Sequence, residues 1–119
     1  MKFREFKTSS GKAVFAGRNA EQNEEVVKLA ESGELVLHTE APGSPFCVIK
    51  EKPAKKDVYE TAVFCARYSR DWKKNKSDVR VHIFSGKDIF KDESMKAGTF
   101  GVKKAKLIIA KKKDIEEFG

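Results

Sequence analysis

Leu35-Val36-Leu37-His38-Thr39 and Phe46-Cys47-Val48-Ile49, joined by Glu40-Ala41-Pro42-Gly43-Ser44-Pro45, decide the fold. Each flank is a short, mostly apolar run bounded by turn residues, the signature of a strand. Pro42 and Gly43 suit the two central positions of a type II turn. Proline presets φ at the first, and glycine accepts the positive φ required at the second. The second flank is apolar throughout, which predicts an interior strand covered on both faces.

Toward the amino end, Phe3-Arg4-Glu5-Phe6-Lys7-Thr8 and Ala13-Val14-Phe15-Ala16 flank Ser9-Ser10-Gly11-Lys12, a hairpin pattern. Gly17-Arg18-Asn19 breaks it. Asn19 can N-cap a helix, with Gln22 three residues on, a variant of the capping box. That helix is expected to reach about Glu31, with Glu21, Glu24 and Glu25 near its positive end and Val26, Val27 and Ala30 on one apolar face. Toward the carboxyl end, a charged loop holds Pro53. A second helix is expected from Asp57 to about Tyr68, and its wide apolar face (Val58, Ala62, Cys65; Tyr59, Val63, Ala66) calls for close packing on a sheet. Ser69 to Asp78 reads as a basic loop around Trp72. Val79-Arg80-Val81-His82-Ile83-Phe84 alternates, which turns Val79, Val81 and Ile83 inward. A short strand near Ile89-Phe90, a loop over 92–101 and a last strand at Lys106-Leu107-Ile108-Ile109-Ala110 follow. The expectation is an α+β fold: a mostly antiparallel or mixed sheet with two packed helices, in a single domain over 1–119. Residues 110–119 form a charged C-terminal tail in which Ile115 and Phe118 either dock or fray.

The chain has 119 residues, 39% hydrophobic and 36% charged, so it can build one ordinary core beneath a densely ionic surface. Met1-Lys2-Phe3-Arg4-Glu5 is not an apolar leader, and no apolar run approaches the ~20 residues of a membrane helix. With only two cysteines, the expectation is a soluble, cytoplasmic protein in a reducing compartment. Net charge is +7, and its placement is uneven. Residues 1–60 carry ten Lys/Arg against ten Asp/Glu; residues 61–119 carry fifteen against eight. Such asymmetry suits a polyanionic partner, and it equally suits a lysine-rich solubilising surface.

Four constellations offer chemistry. Gly17-Arg18-Asn19 at a helix start presents backbone N–H groups and a bidentate guanidinium to an anion; the alternative is an ordinary cap with a solvated arginine. His38 beside Gly43 and Ser44 can stack on a base or donate to phosphate, or be a surface histidine beside a connection. Arg67, Tyr68, Ser69, Arg70, Trp72, Lys73, Lys74 and Lys76 interleave cations with rings, as a single-stranded nucleic-acid groove does. Tyr68, at the end of an amphipathic helix, is expected in the core; Trp72 is either a stacking face or a core residue. Lys103, Lys104, Lys106 and Lys111 to Lys113 either extend a basic stripe or protect an edge strand. Against catalysis, the chain has two histidines, two cysteines in apolar contexts, no metal-ligand spacing and no P-loop or dinucleotide fingerprint.

Together these residues resemble the NFACT-R domain, from about Phe3 to Ala110. Phe3-Arg4-Glu5-Phe6 with Ser10-Gly11 is similar to that family's opening hairpin. Gly17-Arg18-Asn19 with Gln22-Asn23 is similar to its GRN…QN signature, Leu35 to His38 to its strand ending in histidine, and Pro42-Gly43-Ser44 to its PGS turn. Glu60-Thr61-Ala62 with Tyr68-Ser69 resembles its EAA…YS helix, and Gly98 with the following strand resembles its closing segment. Leu35 or Val36 stands where the family usually has Trp, Pro45 where it often has His after the Gly-Ser, and Thr61 where it has Ala. The first two departures imply altered or weakened base contacts. The resemblance implies RNA binding, of tRNA or rRNA, in ribosome quality control, without catalysis, cofactor or membrane. It implies a recognition surface of Arg18, Asn19, Asn23, His38, Gly43 and Ser44, with Arg67, Ser69, Arg70, Lys73, Lys74 and Lys76 in support. Phosphate attraction alone does not separate RNA from DNA. A different reading is a protein-interaction module docking on a ribosome-associated factor, with the charge serving solubility or steering. A third, a nucleic-acid-modifying enzyme using His38 or a cysteine, has least in the sequence to support it.

Overall fold

The strand–turn–strand at 35–49 forms the centre of the sheet. The computed structural model describes residues 2–118. In chain order these form β1 (Arg4–Lys7), β2 (Ala13–Ala16), α1 (Ala20–Lys28), β3 (Leu35–Thr39), β4 (Cys47–Ile49), α2 (Lys55–Arg67), α3 (Arg70–Asn75), β5 (Val79–Ser85), β6 (Ile89–Phe90), β7 (Gly101–Val102), β8 (Lys106–Ala110) and α4 (Lys112–Glu117). Six strands pair antiparallel throughout, in the order β1-β2-β4-β3-β5-β8, while β6 and β7 form a separate ribbon. The fold is α+β, and the sheet takes the antiparallel of the two expected forms. β4 is interior, between β2 and β3, as its unbroken apolar run predicts.

Alternation along the strands divides the core in two. Val14, Ala16, Leu37, Cys47, Ile49, Val79, Val81 and Ala110 face α2, with Ala62, Phe64 and Cys65 packed against them. Val36, Phe46, Val48 and Phe84 face the other way, toward Val26 of α1 and the half-buried Phe100 and Val102. Val79 and Val81 point inward as the alternation predicts, and Ile83 packs against the same cluster.

Helix ends follow local chemistry with two shifts. Asn19 caps α1 by accepting from the Gln22 N–H at 2.9 Å, and Gln22 reaches back to accept from the Arg18 N–H, one residue earlier than a capping box would have it. α1 ends at Lys28 and not near Glu31, because Ala30 to Gly33 turn to deliver β3. α2 starts at Lys55, two residues before Asp57. The Asp57 carboxylate accepts from the Ala54 N–H and from the Ser10 hydroxyl, which ties the first hairpin to α2. Those bonds, the Ser10 bond foremost, lower its pKa.

Two further helices join the expected pair. The stretch read as a basic loop contains α3. Ser69 caps it, and Trp72 is 3% exposed in the α2-side core. The core reading of Trp72 therefore holds, and its ring offers no stacking face. Tyr68 is only half-buried, at the margin of that core. At the carboxyl end Ile115 is fully buried and Phe118 packs among Phe6, Phe64 and Tyr68, so both dock.

Candidate nucleic-acid interface

A cleft of about 680 Å³ opens where the amino end of α1, the turn between β3 and β4, and the start of α3 meet. Local sequence brings each element there. Gly17 ends β2 against Asn23. A Cβ on it would lie 2.2 Å from the Asn23 side-chain oxygen, and that oxygen accepts from the Phe46 N–H at 3.1 Å. The Asn23 side chain thus ties α1 to the residue just before β4. Gly43 has φ +96°, as the turn requires, and its carbonyl accepts from the Arg70 N–H at 2.8 Å. The turn is thereby fixed onto α3, with the Arg70 side chain lying across it.

Seven of the twelve residues implied as recognition surface and support line this cleft: Arg18, Asn19, Asn23, His38, Gly43, Ser44 and Arg70. The other five lie outside its lining. Lys73, Lys74 and Lys76 are exposed on α3 and its C-cap, with the Lys76 ammonium 5.0 Å from the Trp72 ring centre. Arg67 is half-buried at the end of α2, and Ser69 is fully buried. Ser69 holds α3 by accepting from the Trp72 N–H and donating to the Ala66 carbonyl. Ser44 is similarly occupied: its hydroxyl accepts from the Thr39 N–H and donates to the Pro45 carbonyl. The Asn19, Asn23, Ser44 and Ser69 side chains hold the cleft in shape.

Three arginines bring charge to it. Arg4, Arg18 and Arg70 have no carboxylate within 4.0 Å among the described residues. Guanidinium groups match phosphate oxygens bidentately and stack on rings, both useful toward nucleic acid. Arg4 was not anticipated. It shares a strand face with Phe6, which stacks on Phe64, and its guanidinium lies 4.0 Å over the Tyr68 ring. A cation at an inward-facing strand position was the available signal. Opposite charge at the rim comes from Glu40, whose carboxylate is held by Arg80 at 2.9 Å and lies 3.4 Å from His82. Arg80 is the main cause of its lowered pKa. The backbone N–H groups of Ala20, in the cleft lining, and of Glu21 carry no hydrogen bond among the described residues, so the start of α1 keeps free donors.

The floor is aromatic. Phe46 meets His38 at 4.2 Å, Phe84 at 6.4 Å and Phe100 at 5.1 Å between ring centres. His38 Nδ1 lies 2.7 Å from the Thr39 carbonyl oxygen. That oxygen can only accept, so Nδ1 carries the proton and Nε2 is left as an acceptor. Burial lowers the His38 pKa to about 4. The imidazole is therefore neutral near pH 7, and it is not the phosphate-pairing cation that its position suggested. We expect its ring protons, followed by NMR from pH 8 to pH 5.5, to show no titration step. A step near pH 6.5, the ordinary histidine value, would refute the assignment.

The far wall is the loop that follows β6, held by one ion pair. The Lys91 ammonium donates to Glu24 at 2.8 Å and to the carbonyls of Lys96 and Thr99, and the Gly98 N–H donates to the same Glu24 oxygen. The Lys91 bond is the leading cause of a lowered Glu24 pKa. A carboxyl whose folded pKa lies below its unfolded value stabilises above the unfolded value, and loses that contribution as pH falls through the folded one. Glu24→Gln should therefore leave the fold intact and speed amide exchange at Gly98 about tenfold at neutral pH, the scale of one lost charged hydrogen bond. As pH falls through the folded pKa of Glu24, the difference from the parent should disappear.

The remaining excess cations do not gather here. Lys104 and Lys106 line a separate groove with Lys55 and Lys87. β8 is the last strand of the sheet, which fits the edge-protection reading of its flanking lysines. Cys47 and Cys65 are buried free thiols, and burial raises the Cys47 pKa well above its ordinary value, which leaves it a poor nucleophile. Among the described residues, no three His, Cys, Asp or Glu side chains are grouped to hold a metal, and no helix is long and apolar enough to cross a membrane.

An antiparallel sheet flanked by helices, with an arginine-lined cleft over an aromatic floor, defines an α+β domain. The chain belongs to the family of NFACT protein RNA binding domains, whose family model matches residues 2–104. It is 29% identical over 102 residues to the archaeal Rqc2 homolog aRqcH of Methanocaldococcus jannaschii, a match covering 79% of this chain and 15% of that protein. The solved C-terminal part of the fibronectin/fibrinogen-binding protein from Streptococcus suis superposes with a TM-score of 0.85 over 98% of this chain and 48% of that one. At 22% identity that likeness shows the fold alone. The chain thus spans a minor part of the length of either protein.

Proposed function

We propose that this domain is a non-catalytic RNA-binding module that engages tRNA or rRNA in the cytoplasm, in the service of ribosome quality control. The observation that carries the reading is the convergence of Arg4, Arg18 and Arg70, none paired with a carboxylate among the described residues, on a cleft floored by Phe46 and Phe100. Membership of a family of RNA binding domains and a relative described as an Rqc2 homolog support it. Phosphates approach the guanidinium groups and the open N–H groups of α1. A splayed base enters between the arginines and the half-buried Phe100, which Phe46, 5% exposed, backs edge-on. The neutral His38 Nε2 accepts from a 2′-hydroxyl or an exocyclic amine, and a 2′-hydroxyl donor is absent from DNA. The cysteines are sealed in the core and His38 lacks a charged partner, so the site binds and does not transform.

Crosslinking in cells, followed by sequencing of the bound nucleic acid, tests this directly. Enrichment of tRNA or rRNA supports the proposal; recovery of DNA alone, or of no nucleic acid, refutes it. Lys73 and Lys74, exposed on α3 after Arg70, serve as electrostatic support in this reading. Lys73→Ala/Lys74→Ala should lower RNA affinity by about threefold to tenfold at 0.1 M salt through counterion release, equally for all sequences. Filter binding against two unrelated tRNAs measures this.

A further inference from the structure

A groove of about 980 Å³ runs between the first turn of α2 and the amino end of β8. Its floor is aliphatic: Leu35, Val58, Ile83 and Ile108, each half-buried, lie on the α2 side of the sheet. Phe84 contributes only from the far side of β5, since its ring packs against Phe46 in the opposite cluster. The rim is lysine. Lys55, Lys87, Lys104 and Lys106 are exposed, and none has a carboxylate within 4.0 Å among the described residues. Among the described residues, Asp88 is the one acidic residue in the lining.

This chemistry differs from that of the cleft at each point. The cleft has arginines over rings; the groove has lysines around aliphatic side chains. Lysine is a compact point charge without a planar face, and an aliphatic floor gives a base nothing to stack on. A nucleic acid would meet the ammonium groups and leave the floor facing its polar backbone. A peptide with aliphatic side chains between carboxylates satisfies both at once. β8 is also the outermost strand, so among the described residues no further strand of the sheet covers the groove on that side.

We propose that this groove docks an acidic peptide segment of a partner protein, one that alternates Asp or Glu with Leu, Ile or Val. The aliphatic side chains occupy the floor formed by Leu35, Val58, Ile83 and Ile108. The carboxylates pair with Lys55, Lys87, Lys104 and Lys106. Charge complementarity sets the encounter rate and the choice of partner, and burial of the aliphatic groups holds the complex. The domain then carries two independent surfaces, and the second tethers it to a protein while the cleft stays open.

The test uses the full chain and three labelled probes of equal length: a peptide alternating Glu with Leu and Ile, an all-Glu peptide, and oligouridine RNA. Anisotropy at 0.15 M salt should show saturable binding of the alternating peptide, and binding of the all-Glu peptide at least about tenfold weaker. Lys87→Gln/Lys104→Gln/Lys106→Gln should weaken the alternating peptide by about tenfold or more and RNA by less than about threefold. Val58→Gln should weaken the alternating peptide without moving RNA affinity. The proposal is overturned if the alternating peptide does not bind below about 1 mM, a limit weaker than most specific contacts. It is equally overturned if the triple variant binds that peptide normally, or if RNA loses as much affinity as the peptide, which would make the groove part of the RNA surface.

Discussion

Arg18→Ala/Arg70→Ala is expected to bind single-stranded RNA about 25-fold more weakly than the parent at 0.1 M salt. The magnitude follows from counterion release. Each phosphate contact on a single strand contributes about 0.7 to the slope of log affinity against log salt. Two lost contacts lower that slope by about 1.4, and one decade below the 1 M reference this becomes the stated factor. Both side chains are exposed, and neither forms a salt bridge among the described residues. The link from α3 to the turn runs through the Arg70 backbone N–H, which alanine keeps. Thermal stability should therefore change little, and the effect should appear in affinity and salt slope together. Isothermal or filter-binding titration at several salt concentrations separates the outcomes. An unchanged slope would remove the two arginines from the contact surface. A lower melting temperature would mean that they serve the fold.

Gly17→Ala should be damaging to both fold and binding. A methyl group there would occupy the position of the Asn23 side-chain oxygen, 2.2 Å away, and crowd the Asn23 backbone nitrogen at 2.7 Å. The start of α1 must shift, and Asn23 must release the Phe46 N–H, a donor that lies away from water. An unsatisfied buried amide alone costs about 1–3 kcal/mol, and the backbone displacement adds to it. A loss of about 2–4 kcal/mol is expected, at the upper end for single substitutions. Denaturant unfolding measures it. Asn23→Ala is the informative companion, since it removes the same hydrogen bond without the clash. It should cost about 1–3 kcal/mol and leave α1 in place. Equal losses in the two variants would mean that crowding at Gly17 is unimportant.

The elements read best from sequence are those with a strong local pattern. Leu35 to Ile49 is two apolar runs about a Pro-Gly turn, and Val79 to Phe84 alternates; both lie in the structure where the pattern places them. The Asn19 cap was equally plain. The misses have a common physical cause. Arg70 to Asn75 has one apolar residue in six, so α3 shows no periodicity; Ser69 as its cap was the only sign. Trp72 is buried because α3 turns its single apolar residue onto α2, which composition alone does not reveal. The cleft was half legible. Residues carried by a local motif, Arg18, Asn19, His38 and Gly43, were found. Tyr68, expected in the core, lines the cleft half-buried, and Arg4 and Phe100 reach it only because the sheet order and the loop after β6 bring distant segments together. The lysines flanking the last strand could be read either as a basic stripe or as edge protection; Lys104 and Lys106 line a separate groove, since sequence distance says nothing about which side of a sheet a residue occupies.

Heteronuclear NMR of the labelled chain titrated with tRNA tests the location of binding most directly. The largest amide shifts should fall at Gly17 to Gln22, at Thr39 to Phe46, at Tyr68 to Arg70 and at Gly98 to Phe100, with Val58, Lys87 and Lys104 unmoved. Shifts concentrated along Lys55, Lys87, Lys104 and Lys106, with the arginine cleft silent, would contradict the account.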